Sequence, residues 1–266
     1  MSEETAVQAS SGPVTVGSLV LDLQQLGLGP GDRVLVHSSL SSLGWVCGGA
    51  VAVVEALLSV LGPDGTLVVP THSGDLSDPS TWARPSVPES WWDTIRATMP
   101  AFRPASTPSR GMGAVAEVAR TWPGALRSNH PQVSFAAVGP AAAALTEGHQ
   151  LADSLGEGSP LARLYDADAL VLLLGVDHRS NTSLHLAQYR CGSWSRDQLF
   201  GPVEEHGVRR WVGWSDIDLD TDDFPALGAD LEAVELVRSE TVGRATARLM
   251  RQRQVVDHAT AWFRSH

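Results

Sequence analysis

Apolar and polar positions alternate along this chain in blocks that switch between helical and strand periodicity. The pattern predicts helices over Val16–Leu26, Gly49–Leu61, Met112–Trp122, Pro160–Tyr165 and Thr182–Tyr189. It predicts strands over Asp32–Val36, Thr66–Pro70, Phe135–Val138, Leu170–Leu174 and Val208–Ile217, the last antiparallel to its neighbour, and a long closing helix over Thr241–Arg264. Strands separated by helices imply an α/β fold, a mixed β-sheet flanked by helices. No repeat or low-complexity linker interrupts the chain. Residues 1–12 are expected to be disordered and residues 13–266 to form a single functional domain. Between Thr71 and Arg110 regular pattern gives way to prolines and to Trp82, Trp91 and Trp92; an ordered loop of that length is usually functional.

The segment Leu170–Arg190 (LVLLLGVDHRSNTSLHLAQYR) is the most informative. An apolar run reads as a buried strand ended by Gly175. Asp177 to Asn181 are polar, Ser180 or Asn181 would cap the helix that follows, and a strand–turn–helix corner of this kind places polar side chains where open α/β sheets bind ligands. His178 stands in that corner and can take a proton near neutral pH. His185, flanked by Leu184 and Leu186 within the helix, reads instead as a satisfied structural histidine.

Composition narrows the functional classes. A chain of 266 residues buries a substantial core, and no apolar stretch approaches the ~20 residues of a membrane span. The acidic, apolar-poor N-terminus is not a secretory signal, and only two cysteines, Cys47 and Cys191, point to a reducing compartment, hence a cytoplasmic protein. A formal net charge of −11 discourages nucleic-acid binding and favours a cationic small molecule. The acidic run Asp216, Asp218, Asp220, Asp222 and Asp223 reads as an edge strand with its acids outward. It lacks the glycine and terminal glutamate of a calcium loop, and the histidines lack zinc-pair spacing, so no metal is expected. No G-x-S-x-G elbow is present, which argues against a serine hydrolase.

These motifs closely resemble the aminoglycoside 3-N-acetyltransferase family. The family signature runs from a leucine-rich strand through Gly, His, two residues and Asn-Thr-Ser-Leu-His-Leu-Ala to Glu; Gly175 to Ala187 follow it, and Gln188 replaces the acid. Val34–Gly49, Val68–Pro88, Met99–Gly113 and Gly156–Leu161 are similar to further family blocks, in the family's order. The resemblance implies an antibiotic N-acetyltransferase-like fold, unrelated to the larger N-acetyltransferase superfamily. It also implies a bacterial enzyme that moves an acetyl group from acetyl-CoA to the 3-amino group of a 2-deoxystreptamine aminoglycoside, within a ternary complex, giving antibiotic resistance. Monomer and homodimer both stay open.

On this reading His178 is the expected base, and residue 188 its orienting partner or a contact for the acceptor amine. Gln188 accepts a hydrogen bond but cannot stabilise an imidazolium by charge. His37, Ser38 and Ser39, directly after a strand, and Thr107, Ser109, Arg110, Gly111 and Gly113, at a helix mouth, are the expected acetyl-CoA contacts, with hydroxyls, free amides and one guanidinium for pyrophosphate. Asp75, Asp78, Trp82, Glu157, Asp222 and Asp223 are the expected acceptor contacts. The alternatives are a different amine acceptor, which Gln188 favours, and a non-catalytic aminoglycoside- or CoA-binding protein.

Overall fold

A computed structural model describes residues 3–8, 12–192 and 194–265. Its first element, helix α1 (Glu3–Gln8), falls in the stretch expected to be disordered; residues 1, 2 and 9–11 lie outside the described residues. Helix α2 (Val16–Leu26) starts where the Thr15 hydroxyl accepts from the Ser18 amide while Ser18 reciprocates to the Thr15 amide, a capping box. It ends where Gly27 takes a left-handed conformation. Strand β1 (Arg33–Ser38), helix α3 (Gly49–Leu61) and strand β2 (Thr66–Pro70) follow as the periodicity indicates. Helices α4 (Trp92–Thr98) and α5 (Gly113–Arg120), strands β3 (Leu126–Arg127) and β4 (Phe135–Val138) and helix α6 (Ala142–Thr146) lead to α7 (Pro160–Asp166), which Ser159 caps. Strand β5 (Leu170–Leu174) and helix α8 (Ser183–Cys191) carry the signature segment.

The seven-stranded sheet runs β3-β4-β2-β1-β5, continuing to two strands near the C-terminus, β9 (Ala245–Arg251) and β8 (Val237–Val242) at the edge. Strands β2, β1 and β5 are mutually parallel at its centre, and β4, β9 and β8 are antiparallel to their neighbours, so the sheet is mixed. A separate two-stranded ribbon pairs β6 (Arg196–Glu205) with β7 (Val208–Ile217). Helix α9 (Phe224–Ala233) and the closing helix α10 (Gln252–Ser265) complete the chain.

One prediction of the pattern fails here. Residues 237–251 form a hairpin and only Gln252–Ser265 are helical. Gly243, with φ 60, makes the turn, and Ala245, Ala247 and Leu249 are buried while Thr246 is exposed, which is the period of a strand. The acidic tract also differs from expectation: β7 ends at Ile217, and Asp216 is fully buried, accepting from the Tyr189 hydroxyl at 2.7 Å and the Ser154 amide at 3.1 Å. Among the described residues no helix is long and apolar enough to cross a membrane, and no group of three or more His, Cys, Asp or Glu is placed to hold a metal.

Each sheet face carries its own core. Helices α2, α3 and α5 cover one, around Leu57, Val36 and Leu172; α6 to α10 cover the other, around Leu35, Leu173 and Leu186. The helix after β1 therefore lies on one face and the helix after β5 on the other. Adjacent parallel strands whose crossovers diverge in this way leave a crevice at their carboxyl ends, where α/β sheets receive ligands.

Candidate functional site

A cavity of about 880 Å³ opens at that crevice. Its walls come from the ends of β1 (His37, Ser38, Ser39), β2 (Pro70, His72) and β5 (Val176), the loop before α5 (Gly111, Met112, Gly113) and the start of α8 (Thr182, His185). Gly111 and Gly113 both have positive φ, 73 and 82, which lets this loop turn tightly and bring the first amides of α5 to the cavity. His37, Ser38, Ser39, Gly111 and Gly113, five of the residues expected to contact acetyl-CoA, thus share one wall. Thr107, Ser109 and Arg110 do not reach it. The Thr107 hydroxyl accepts from the Arg103 amide (2.9 Å), Ser109 donates to Glu117 (2.6 Å) and Arg110 pairs with Asp75 (3.3 Å), so this cluster braces the approach to the helix.

His178 is not in the cavity either. It lies in a single 3-10 turn, His178–Ser180, and is 4% exposed. Its Nε2 is 3.3 Å from Glu232 Oε1, and its Nδ1 is buried without a partner. Helix α9 presses on the ring so closely that a Cβ at Gly228 would sit 2.3 Å from His178 Cγ. Burial lowers its pKa, with Glu232 opposing. The motif histidine is thus a packed residue turned towards α9. Gly228→Ala is expected to destabilise the fold by about 1–3 kcal/mol, the usual cost of overpacking; a thermal melt indistinguishable from wild type would contradict the close packing.

Of the two signature histidines, the one that lines the cavity is His185. Burial pushes its pKa down to about 4, with the Gln188 hydrogen bond and Asp220 acting in the opposite sense. Its Nδ1 lies 2.6 Å from Gln188 Oε1, one helical turn on, and Gln188 Nε2 donates to the Asp220 carbonyl at 2.8 Å. This chain sets the tautomer. The Asp220 carbonyl only accepts, so the Gln188 NH₂ must face it and Oε1 must face the ring; Nδ1 then carries the proton and Nε2 the lone pair. The expected partnership of Gln188 with His178 is replaced by one with His185, because residues three apart on a helix are neighbours whereas residue 178 precedes it.

His37 and His72 complete a group of three imidazoles on the walls. His37 Nε2 is 3.3 Å from the Thr182 hydroxyl, and burial pushes the pKa of both rings down to about 3, with repulsion from His185 adding to it at both and from His37 at His72. His72 was not among the candidates, although its position immediately after the β2 run parallels that of His37 after β1.

The expected acceptor carboxylates lie outside the cavity. Asp78 is held by Arg96 at 2.8 and 2.9 Å, Glu157 by Arg190 at 2.7 Å, and Asp75 by Arg110. Trp82 donates to Ser77, and Asp223 precedes α9 without capping it. Asp222 comes nearest, through its 3.3 Å pair with the wall residue Arg179. The segment that reaches the site is the tract itself: the Asp220 carbonyl holds Gln188, and Thr221 lines the cavity.

A cavity at the ends of parallel strands, with an oriented imidazole on its wall, is the arrangement of a small-molecule enzyme. Residues 35–264 match the family model for aminoglycoside 3-N-acetyltransferase. The SPbeta prophage-derived aminoglycoside N(3')-acetyltransferase-like protein YokD of Bacillus subtilis (strain 168) is 43% identical over 97% of this chain and 95% of its own. Its crystal structure superimposes with a TM-score of 0.97, at 42% identity and with 99% and 98% of the two chains covered. Aminoglycoside N(3)-acetyltransferase VII of Streptomyces paromomycinus is 38% identical over 99% of this chain and 96% of its own. The structure of AAC-IIIb in a binary complex with CoASH aligns with a TM-score of 0.85 at 29% identity, over 96% of this chain and 97% of that one. The chain belongs to the aminoglycoside 3-N-acetyltransferase family and is an acyltransferase.

Proposed function

We propose that this protein transfers the acetyl group of acetyl-CoA to the 3-amino group of a 2-deoxystreptamine aminoglycoside, in the bacterial cytoplasm, with His185 as general base. The observation that carries this reading is the Asp220–Gln188–His185 chain, which leaves a lone pair on Nε2 of a residue that lines the cavity. The CoASH complex of the related AAC-IIIb supports the choice of donor.

Acetyl-CoA supplies the electrophilic thioester carbonyl. His185 Nε2 takes the proton that the acceptor amine loses as its nitrogen bonds to the carbonyl carbon; the C–S bond then breaks, and the imidazolium returns the proton to the leaving thiolate. Amides at the start of α5, which have no acceptors within their own helix, are suited to the negative charge that develops on the carbonyl oxygen. Gln188 fixes the ring but adds no charge, so the imidazolium formed during transfer is less stabilised than it would be beside a carboxylate.

Free-thiol release from acetyl-CoA tests the reading directly. Thiol is expected to appear with kanamycin, gentamicin or apramycin present and not without an acceptor. Absence of release with every aminoglycoside would contradict it. A second reading, transfer to another amine, is favoured by one observation: among the described residues, the cavity wall holds no carboxylate and carries one guanidinium, Arg179.

A further inference from the structure

The stretch between β2 and α5 carries one short helix, α4, and no strand, yet both of its ends line the cavity: His72 directly after β2, and Gly111 to Gly113 directly before and at the start of α5. One side chain outside the cavity touches both ends of that stretch. Arg127, in the edge strand β3, donates through Nε to the Thr71 hydroxyl at 3.0 Å and the Ser134 hydroxyl at 2.9 Å, and through Nη2 to the Thr71 carbonyl at 2.6 Å. Its Nη1 donates to the carbonyl of Thr107 and, at 3.4 Å, to that of Pro104. The guanidinium lies over the Phe102 ring, with Cζ 4.8 Å from the ring centroid.

These bonds tie two bodies together. Thr71 immediately precedes His72, and the His72 carbonyl accepts from the Arg110 amide at 2.7 Å, next to Gly111. The segment around Thr107 moves with α5, because Ser109 donates to Glu117 at 2.6 Å and Arg120 donates to the Ala105 carbonyl at 3.2 Å, both from that helix. There is little slack at the far side: a Cβ at Gly113 would stand 3.6 Å from the Ser38 carbonyl, at the end of β1.

We propose that Arg127 is a positioning residue for acyl transfer: its guanidinium fork sets the distance between the His72 wall and the Gly111–Gly113 loop, and with it the place of the first α5 amides against the thioester carbonyl. The inference rests on the acetyl-CoA reading above. Every acceptor that Arg127 uses among the described residues is a carbonyl or a hydroxyl oxygen. Burial, with repulsion from Arg120 added and Glu117 opposing, pushes its pKa down to about 10, so it stays charged at neutral pH. Neutral donors would satisfy the same carbonyls, and a desolvated cation without an acid bonded to it is costly. What a guanidinium adds is a rigid plane of five N–H groups that spans both segments at once, which the point charge of a lysine does not.

Arg127→Lys and Arg127→Ala, compared with the wild type in the full chain, test this. Thermal melts and circular dichroism follow the fold, and thiol release at saturating acetyl-CoA and kanamycin gives kcat. Both variants are expected to stay folded and to lose roughly 10- to 100-fold in kcat, the scale of a misplacement of about 1 Å. Millimolar guanidinium chloride is expected to restore much of the rate to Arg127→Ala, which has room for the ion, and none to Arg127→Lys. A merely structural role predicts a lower melting temperature with kcat unchanged and no rescue, and that result would overturn the proposal. Unfolding of both variants would make Arg127 a determinant of the fold alone, and full activity in Arg127→Lys would show that the fork is dispensable; either also overturns it. A wild type that neither binds CoA by calorimetry nor releases thiol would instead remove the reading on which the proposal rests.

Discussion

Replacing His185 by alanine is expected to lower turnover by roughly two to four orders of magnitude, the usual worth of a positioned general base. CoA affinity should change little, since the ring acts on the proton of the amine and not on the nucleotide. The effect separates the two histidines of the signature. His178→Ala is expected to act on thermal stability and not on kcat, because the ring packs against α9 and pairs with Glu232. Steady-state kinetics of the two variants side by side decide the assignment: a His178→Ala enzyme with the larger loss of kcat at saturating substrates would exchange their roles.

The second large effect is expected at position 188. Gln188→Glu should raise the His185 pKa from about 4 towards neutrality and increase kcat near pH 7 by roughly ten- to a hundredfold, part of the full worth of a base. In the wild type burial pushes the His185 pKa down to about 4, so loss of the base is expected to limit the rate only on acidification through that value. A carboxylate 2.6 Å from Nδ1 favours the protonated ring, opposing burial, and moves the acid limb of the profile upwards. The substitution carries a cost. The Asp220 carbonyl, which now accepts from the Gln188 amide at 2.8 Å, would lose its donor and face a second acceptor, a loss of about 1–3 kcal/mol. The variant should therefore be faster and less stable. Nuclear magnetic resonance titration of His185 together with the pH–rate profile checks this; an unmoved His185 pKa, or a slower enzyme at every pH, would show that the neutral amide is the fitted partner at this site.

Much of the sheet was legible in the sequence because its central strands are short apolar runs bounded by glycine or proline. Helix α3, strands β2, β4 and β5, and the ends of β1 and α8 follow that punctuation to within a few residues. The β8–β9 hairpin was not legible, because Arg, Ala, Leu and Met are strong helix formers and the residues that follow, Gln252–Ser265, are helical. Gly243 and the two-residue alternation after it were the available signal. Strand β6 was hidden by Gly201 and Pro202, which a two-stranded ribbon tolerates and a central strand does not.

The site was half legible for a related reason. Segments at strand ends point to the crevice whatever their neighbours do, and His37 to Ser39 and Gly111 to Gly113 reach it. Side-chain direction inside the crevice depends on packing from distant segments. His178 is turned aside by α9, fifty residues later, and nothing in its own neighbourhood records that approach. His185 was set aside for its leucine neighbours, yet Ser183 to Gln188 are all buried, so flanking apolar residues carry no information about which face meets the ligand. The spacing of His185 and Gln188, one turn apart on a helix, was the sign that they act as a pair. The acidic residues were misplaced because each of Asp75, Asp78 and Glu157 has a nearby arginine, which charge counting along the sequence does not reveal.

The central claim is that this chain acetylates a defined amine of an aminoglycoside with His185 as the base. Its most direct test is the structure of the product, determined by nuclear magnetic resonance after incubation of the wild type and His185→Ala with acetyl-CoA and kanamycin. The account predicts a single acetyl group on the 3-amino nitrogen of the 2-deoxystreptamine ring from the wild type, and a far slower yield of the same product from the variant. Acetylation at another nitrogen, or formation of the product at undiminished rate without His185, would contradict it.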